Sequence, residues 1–386
     1  MKIVHLCLAS FYVDNGSYQE NLLPRYHKKN GYDVEIIASL DTFNEYGQLV
    51  IGDGPNEYRN EDGILVRRLK YRINKIDKKL KRFYGVFASL SKSRPDVIFI
   101  HGCQFLDIYK VIKYIKLYPS VRVFVDNHAD FSNSARNLFS KVILHRILWR
   151  KCAQSILPYV TKFYGVLPSR VDFLNEVYGI PRDSVELLLM GADDDLLIEA
   201  VSGASSLRKR LDISEGDFII VTGGKIDFAK QEVLNLMRAI KQLNYQHVKL
   251  LVFGSVIPEI KKEFDSLLSE NVIYLGWINS KESYSYFQMA NLIVFPGRHS
   301  VFWEQVVAQQ KPMLVKYWPG TTHVDIGENV LFLKQADTKE IEEQISNIVD
   351  NPQILAGITR GAQSDKSKNF LYSKIALKSL GLTREV

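Results

Sequence analysis

The sequence predicts an α/β protein made of two Rossmann-like, doubly wound parallel-sheet domains facing a central cleft, and three observations support this fold class. The chain has 386 residues, which is too many for one ordinary core and suits two domains of similar size. Short apolar runs, typical of buried strands, alternate with helical segments along it. Glycines and polar residues follow several of these runs, where parallel strands end and open α/β sheets bind ligands.

The first series of apolar runs predicts the sheet of an N-terminal domain over residues 1–195. Asp62-Gly63, between Tyr58 and Val66, predicts a hairpin turn inserted after the second strand. The predicted strands cover residues 3–8, 34–38, 97–100, 121–125 and 185–190. The small-residue stretch AVSGASSLRKR, residues 200–210, then predicts an interdomain linker.

The second series predicts a similar domain over residues 196–365. Its strands are expected at residues 218–222, 248–253, 272–275, 292–295, 313–315 and 330–333. Residues 366–386 have a helical pattern, and we expect this C-terminal tail to pack back on the N-terminal domain.

Composition narrows the cellular setting. Cys7, Cys103 and Cys152 are far apart and odd in number, and no CxxC or HExxH spacing predicts a metal or a disulfide framework. The N-terminus develops no signal-peptide pattern, and no apolar stretch approaches the roughly 18 residues that span a bilayer. We therefore expect a cytoplasmic protein with no cofactor, with the inner face of the cell membrane as a candidate location.

The net charge of +7 is concentrated in the first half. Residues 67–82, RRLKYRINKIDKKLKR, contain nine Lys or Arg and one acid, Asp77, and residues 141–151, KVILHRILWRK, repeat this pattern with apolar residues interleaved. Such faces are ordinary solvated surfaces, or they bind an anionic membrane or nucleic acid. Two basic amphipathic segments favour the membrane, and no basic-aromatic motif supports nucleic acid.

Residues 295–312, FPGRHSVFWEQVVAQQKP, place a polar loop and a helix start after a buried strand. Pro296-Gly297 ends the strand, and Ser300 is a good N-cap residue. Free amides at this helix start would face an anion. Glu304, one turn inside the helix, could accept hydrogen bonds from sugar hydroxyls, so the segment predicts a nucleotide-linked ligand.

A glycine turn follows the first strand of the second domain. Gly223-Gly224-Lys225 allows close backbone approach, and Lys230 follows near the next predicted helix. The two lysines could neutralise a diphosphate leaving group, although two solvated lysines beside an ordinary glycine turn are the alternative.

These motifs resemble the donor-binding half of glycosyltransferases of the B fold. The pattern GGK…K, VFGS at residues 252–255, LGW at residues 275–277 and PG…HSVFWE is most similar to the large family of retaining nucleotide-sugar glycosyltransferases usually numbered four. The likeness covers nearly the whole chain, including NGSYQENLLPRYHKKNGYDV and LLLMGAD in the first domain. It implies that the donor site contains the following residues: Gly224, Lys225, Lys230, Gly254, Trp277 and Ile278.

The chain departs from that family at the paired glutamates. Counting back from Lys311-Pro312 places Gln305 at the second glutamate, with Glu304 beside it, and His299-Ser300 at the first. The resemblance therefore implies a ribose-binding role for Glu304 and a phosphate-loop role for His299 and Ser300. Lys225 also stands where arginine is more usual.

Two residues of the first domain are further candidates. The resemblance implies that His128, after the strand at residues 121–125, contacts the donor sugar near the reacting carbon. A structural histidine capped by Asp126 or Asp130 is the alternative. Gly16 could approach the phosphates or the acceptor, or could belong to an ordinary helix cap.

The sequence thus predicts transfer of a sugar from a nucleotide donor, with a uridine diphosphate sugar expected, to a hydroxyl of a saccharide or lipid-linked acceptor. Cell-surface polysaccharide synthesis is the expected setting. Family likeness implies retention of configuration without a metal, and we read Asp193-Asp194-Asp195 as no metal site because it precedes the second series. A sugar-nucleotide epimerase of the same fold and a non-enzymatic basic binding protein are the alternatives. A dehydrogenase is disfavoured because no GxGxxG follows the first strand.

Overall fold

The computed structural model describes residues 1–43, 49–72, 75–131, 134 and 140–382. The chain divides into two compact units, one formed by Met1–Leu189 with Ile375–Val386 and the other by Met190–Lys374. Among the described residues, no helix is both long and apolar enough to cross a membrane.

The first unit contains a mixed sheet that is parallel except at one edge. Its strands are β1 (Lys2–Cys7), β2 (Asp33–Ser39), β3 (Asp41–Phe43), β4 (Leu49–Ile51), β5 (Glu57–Arg59), β6 (Leu65–Leu69), β7 (Val97–His101), β8 (Arg122–Asn127), β9 (Lys162–Gly165) and β10 (Val185–Leu187). The sheet order is β10-β9-β8-β7-β1-β2-β6-β5, and β3 and β4 form a separate antiparallel pair. Because β1 reads IVHLC with buried residues throughout, helices must cover both faces of the sheet.

Those helices are α1 (Gln19–Lys29), α2 (Lys75–Lys79), α3 (Val86–Ser93), α4 (Ile108–Leu117), α5 (Arg150–Ile156) and α6 (Pro168–Glu176). A π-helical segment, Ser140–Trp149, leads directly into α5. The hairpin predicted at Asp62-Gly63 is confirmed, since β5 pairs antiparallel with β6 while β6 continues the sheet parallel to β2.

The second unit contains a parallel six-stranded sheet. Its strands are β11 (Phe218–Gly223), β12 (Val248–Phe253), β13 (Val272–Tyr274), β14 (Leu292–Phe295), β15 (Met313–Lys316) and β16 (Val330–Leu333), in the order β13-β12-β11-β14-β15-β16. Each lies on a run predicted from sequence, so the doubly wound α/β fold is confirmed. Its helices are α7 (Asp194–Arg210), α8 (Val233–Leu243), α9 (Pro258–Ser266), α10 (Ser280–Met289), α11 (Phe302–Ala308), α12 (Thr338–Asp350) and α13 (Pro352–Ala362). The last helix, α14 (Tyr372–Ser379), begins in this unit, and its residues from Ile375 onward belong to the first unit.

The predicted linker at residues 200–210 is wrong, because this stretch is the second half of α7. Its small residues let α7 pack closely on α10: a Cβ on Gly203 would lie 2.1 Å from Ser285 Oγ. The aspartates before it form the helix start, where Asp193 Oδ1 accepts a hydrogen bond from the Asp195 amide. Asp194 accepts hydrogen bonds from Ser373. Small residues here mark a helix–helix contact.

The prediction of an exposed basic surface at residues 67–82 is also wrong for Arg67 and Arg68. Arg67 and Arg68 are buried on β6, where Arg67 pairs with Glu35 and Arg68 donates to the Tyr12 carbonyl at 2.7 Å. Burial lowers the pKa of Lys81, and Arg82 Nη1 lies 3.1 Å from Asp77 Oδ1. Residues 73 and 74 of this segment, and 383–386 of the predicted tail, lie outside the described residues. Arg67 and Arg68 therefore do not contribute to a basic surface of this segment, and the half-buried Lys81 contributes little.

Candidate functional site

Three glycine-containing loops are tied together at the carboxyl edge of the second unit's sheet, the edge where its parallel strands end. The Gly224 amide donates to the Phe253 carbonyl at 3.1 Å, and the Gly254 amide donates to the Gly276 carbonyl at 2.8 Å. Gly224 and Gly254 have φ values of +119° and +118°, which side chains rarely adopt. A Cβ on Gly254 would lie 1.9 Å from the Gly224 carbonyl oxygen. Only glycine permits the loops after β11 and β12 to approach this closely.

Lys230 lies against these glycines. A Cβ on Gly297 would come within 2.9 Å of Lys230 Cα, and one on Gly224 would lie 3.5 Å from Lys230 Nζ. Burial lowers the pKa of Lys230, an effect that the charge of Asp227 opposes. Among the described residues, no carboxylate lies within ion-pair distance of this ammonium. The edge therefore presents a half-buried positive charge beside exposed backbone.

Lys225 is arranged differently from Lys230, although both follow β11. Its side chain is 66% exposed, and Nζ lies 3.8 Å from Asp227 Oδ2. Such an exposed pair is held weakly. Lys225 is therefore free to change its partner, whereas the packing of Lys230 fixes its direction.

The loop after β14 contains His299 and Ser300, and α11 follows it. Ser300 Oγ accepts a hydrogen bond from the Phe302 amide at 3.3 Å, and the Ser300 carbonyl accepts one from the Trp303 amide at 3.0 Å. Two of the amides that were predicted to face an anion at this helix start, those of Phe302 and Trp303, are thus bonded to Ser300. Its role here is to close the turn into α11.

Glu304 is the centre of a buried hydrogen-bonded cluster with two histidines. His299 Nε2 lies 2.8 Å and His323 Nε2 2.7 Å from the same atom, Glu304 Oε1, and the carboxylate is fully buried. Burial favours the neutral acid, but the two imidazoles outweigh it and hold the pKa of Glu304 well below its usual range. Both rings therefore donate to an ionised carboxylate.

The second oxygen of this carboxylate is available for a further hydrogen bond. Glu304 Oε2 is buried and has no hydrogen-bond partner among the described residues. An unpaired buried acceptor is costly, and binding of a ligand hydroxyl would relieve that cost. Gln305, at the nominal place of the family's glutamate, instead points toward α10, where its Nε2 donates to Ser283 Oγ at 3.2 Å.

Two clusters of the described residues bring ligand atoms close enough together for a metal ion, with separations within 4.8 Å. His299, Glu304 and His323 form one, but their contacts are already those of N–H donors on a carboxylate. Glu20, His101 and His128 form the other, in which His101 already pairs Nδ1 with Asp126 and Nε2 with His5. Hydrogen bonds account for the first arrangement and for the place of His101 in the second.

Trp277 and Ile278 follow β13 at the same edge of the second unit. The indole of Trp277 is 72% exposed, whereas Ile278 is half-buried. An exposed aromatic face of this size is a suitable stacking surface for a planar base. The second unit thus brings together the predicted residues Gly224, Lys225, Lys230, Gly254, Trp277, Ile278, His299, Ser300 and Glu304 on one sheet edge and its adjoining loops.

The remaining predicted residues, His128 and Gly16, belong to the first unit. His128 Nε2 lies 3.3 Å from Asp126 Oδ2, and Asp126 with Glu20 raises the pKa of His128 against the opposing effect of burial. Gly16 closes a turn: its amide donates to the Val13 carbonyl at 3.1 Å, and a Cβ would lie 2.6 Å from Asn21 Oδ1. Both follow strand ends of the first sheet.

Sequence reasoning missed His323 and recognised only part of the role of Asp126. His323 lies after β15, so its position beyond the strand next to β14 was the signal that could have placed it beside Glu304. Asp126 is the residue before the end of β8. The sequence indicated it as a possible cap of His128, but the structure shows that it contacts both His128 and His101.

Comparison with known proteins supports the family resemblance. Residues 217–351, about a third of the chain and nearly all of the second unit's sheet, match the family model described as Glycosyl transferases group 1. No match was found among curated proteins.

Solved structures match over nearly the full length. Sucrose-phosphate synthase from Thermosynechococcus elongatus has a TM-score of 0.68 at 15% identity, covering 99% of this chain and 98% of that one. HepE of Anabaena in complex with UDP has a TM-score of 0.68 at 14% identity, covering 99% of each chain. The UDP-GlcNAc 2-epimerase of Neisseria meningitidis bound to UDP-GlcNAc reaches 0.61 at 12% identity, covering 99% and 100%. At these identities the likeness shows the fold, and it confirms the resemblance to B-fold glycosyltransferases.

Proposed function

We propose that this protein is a glycosyltransferase that moves a sugar from a nucleotide diphosphate donor to a hydroxyl of a saccharide or lipid-linked acceptor. The observation that carries this proposal is Lys230, a half-buried ammonium beside Gly224 and Gly254 that forms an ion pair with no carboxylate in the described part of the chain. A diphosphate leaving group would supply the missing negative charge. The family model that matches residues 217–351 supports the same reaction class.

The nucleoside would bind along the same edge. Glu304 Oε2 would accept a hydrogen bond from a ribose hydroxyl, and Trp277 would stack on the base. We propose uridine diphosphate as the carrier, which HepE of Anabaena also binds. His128, with Asp126 behind it, would contact the donor sugar near the reacting carbon.

The chemistry would consist of stabilising the charge that develops on the departing diphosphate. Lys230 is fixed in place by Gly297, so it needs little reorganisation as the charge forms. Lys225 would join it from the surface. We further propose that the reaction retains the anomeric configuration, needs no metal and serves polysaccharide synthesis.

The direct test is thermal stabilisation of the purified protein by UDP, ADP and GDP, followed by nucleotide release from the corresponding sugars. Stabilisation by one diphosphate, and release that depends on an added acceptor, would support a transferase. Release or epimerisation of the donor without an acceptor would instead identify the epimerase. Retention is read from the anomeric proton coupling of the product, and metal independence from unchanged turnover in chelator.

We also propose that the first unit binds an anionic membrane surface through α4 and the π-helical segment leading into α5. These segments contain no Asp or Glu, and their exposed residues combine positive charge with apolar side chains: Lys113, Lys116, Leu117, Arg146, Ile147 and Lys151. Ser155 Oγ lies 3.3 Å from Tyr109 Oη, so α5 and α4 form a continuous surface. A lipid-linked acceptor would be found at such a surface.

Vesicle sedimentation tests this proposal. Binding to anionic vesicles that is lost at high salt and in neutral vesicles is expected, and the double variant Lys113→Glu/Lys116→Glu should weaken it. Lys262→Glu/Lys281→Glu, on exposed helical positions of the second unit, is the matched control. Absence of binding to anionic vesicles at low salt would favour a soluble acceptor.

A further inference from the structure

Three histidines of the first unit form a continuous row in its interior. His5 on β1, His101 on β7 and His27 on α1 are all fully buried. His27 Nδ1 lies 3.0 Å from His5 Nε2, and His5 Nδ1 lies 3.0 Å from His101 Nε2. Neighbouring rings are nearly parallel, with interplanar angles of 30° and 20°. Both nitrogens of all three rings are therefore used in contacts.

The two ends of this histidine row meet different groups. At one end, His101 Nδ1 lies 2.8 Å from Asp126 Oδ2, at the carboxyl edge of the sheet. At the other end, His27 Nε2 lies 3.0 Å from both the Ala376 carbonyl and Ser379 Oγ on α14. The row therefore connects the His128–Asp126 pair to the C-terminal helix.

Counting hydrogens fixes the direction of these contacts. The row has four contacts, and each needs one hydrogen. Three neutral imidazoles supply three, and an ionised Asp126 supplies none. The Ser379 hydroxyl, whose oxygen also lies 2.8 Å from the Ala376 carbonyl oxygen, supplies the fourth when it turns to donate to His27 Nε2. Every ring then carries its hydrogen on Nδ1, pointing toward Asp126. Any other arrangement with an ionised Asp126 requires a fourth proton on the buried rings.

The surroundings of His5 and His27 favour neutral rings. Burial lowers the pKa of His5 well below its usual value and that of His27 to about 4. The charged groups that face the Asp126 end are Glu20 on α1, His128 in the loop after β8, and Arg170 on α6, whose Nε lies 3.1 Å from Asp130 Oδ2. Gln19 Nε2 adds a neutral donor to Asp126 Oδ2 at 3.1 Å.

We propose that His27, His5 and His101 form a hydrogen-bonded row polarised toward Asp126, which makes them and Ser379 positioning residues for His128. The row holds Asp126 ionised and in one orientation, and Asp126 in turn fixes the imidazole of His128. The catalytic part of this proposal, that the row positions a histidine which contacts the donor sugar, rests on the proposed function. The arrangement of hydrogens itself does not depend on that function.

The test uses the full chain with histidine ring nitrogens labelled with ¹⁵N, in long-range ¹H–¹⁵N correlation spectra near neutral pH. Signals are assigned from single His→Gln variants. We expect all three rings of the row to be neutral and protonated on Nδ1. Ser379→Ala removes the hydroxyl, so His27 Nε2 either loses its donor or takes up a proton and donates to the Ala376 carbonyl. In both cases the ring signals of the row should change.

Ser367→Ala is the matched control, since Ser367 is also a buried serine and lies in the second unit. With a nucleotide sugar identified, Ser379→Ala should lower kcat roughly fivefold, the scale of one neutral hydrogen bond, with little change in KM for the donor. Unchanged kcat in this variant would overturn the positioning role.

A wild-type His101 protonated only on Nε2 would overturn the polarised row, as would Ser379→Ala ring signals equal to wild type or equal changes in the Ser367→Ala control. These spectra need no substrate. If the protein proved not to transfer sugars, the row would still be decided by the ring nitrogens. Conversely, a wrong row would leave the diphosphate assignment of Lys230 intact.

Discussion

Lys230→Met tests the assignment of the diphosphate site with little disturbance of packing. Methionine keeps the apolar stem that lies within about 3 Å of the Gly297 position, and it removes only the ammonium. Loss of one preorganised charge contact should cost on the order of 2–4 kcal/mol of transition-state stabilisation, or roughly 30- to 1,000-fold in kcat/KM.

Stability should respond in the opposite direction. The folded state lowers the pKa of Lys230, so the charged form costs folding free energy at neutral pH, and this cost disappears only as pH rises through the folded pKa. Lys230→Met should therefore unfold at the same temperature as wild type or slightly higher. A loss of turnover without a loss of stability is the expected signature.

Lys311→Met is the matched control. Burial also lowers the pKa of Lys311, but this lysine precedes β15 at the opposite edge of the same sheet, where Nζ donates to the Ala290 carbonyl at 3.2 Å. The measurement is kcat/KM for nucleotide release in wild type, Lys230→Met and Lys311→Met, with the donor identified by thermal shift. Near wild-type kcat/KM for folded Lys230→Met, or an equal loss in Lys311→Met, would refute the reasoning.

Three further predictions concern separate parts of the two units. Glu304→Gln should weaken binding of the free nucleotide, measured by calorimetry, and equal affinity in both proteins would leave Glu304 a structural residue. Because folding lowers the pKa of Glu304, the ionised carboxylate stabilises the wild-type protein above the unfolded pKa, and this stabilisation is lost as pH falls from there through the folded pKa. The Gln variant should lack this pH-dependent stabilisation. Gly254→Ala should lower the free energy of unfolding by about 2 kcal/mol or more, because it adds a clash to an unfavourable φ. Gly276→Ala, with φ +74° and open space around its Cβ, should cost less, and the reverse order in chemical denaturation would contradict this. The melting temperature of the wild-type protein should fall between pH 6.5 and about 4, because His27 binds a proton in the unfolded chain but stays neutral when buried. In His27→Gln this fall should be smaller, and an unchanged slope would contradict the prediction.

The sequence predicted the strands well because buried parallel strands are continuous apolar runs. The six strands of the second unit follow this rule. The strands β3 and β4, which form a separate antiparallel pair, and the four-residue strand β9 were not predicted, because β3 and β9 do not lie on a continuous apolar run and β4 lies on one of only three residues. The stretch at residues 200–210 was misread because small residues are common both in linkers and at close helix contacts, and only the partner helix α10 distinguishes the two.

The donor edge was predictable in outline, since strand ends of one parallel sheet meet at one edge. The contacts within it were not. His323 and Glu304 are 19 residues apart in sequence, and nothing local indicates that they meet. The histidine row is harder still, because each ring on its own is equally compatible with an ordinary buried histidine.

The contact between His27 and Ser379 also has a consequence for the order of events during synthesis. The two residues are separated by 352 positions, yet both belong to the first unit. A ribosome therefore releases almost all of this unit, and the whole of the second, before the partner of His27 exists. Until residue 379 is synthesised, His27 of the nascent first unit lacks its contact with Ser379, and the surface on which α14 packs is uncovered. Translation speed and chaperone access while residues 375–382 are being synthesised should thus affect the yield of the first unit.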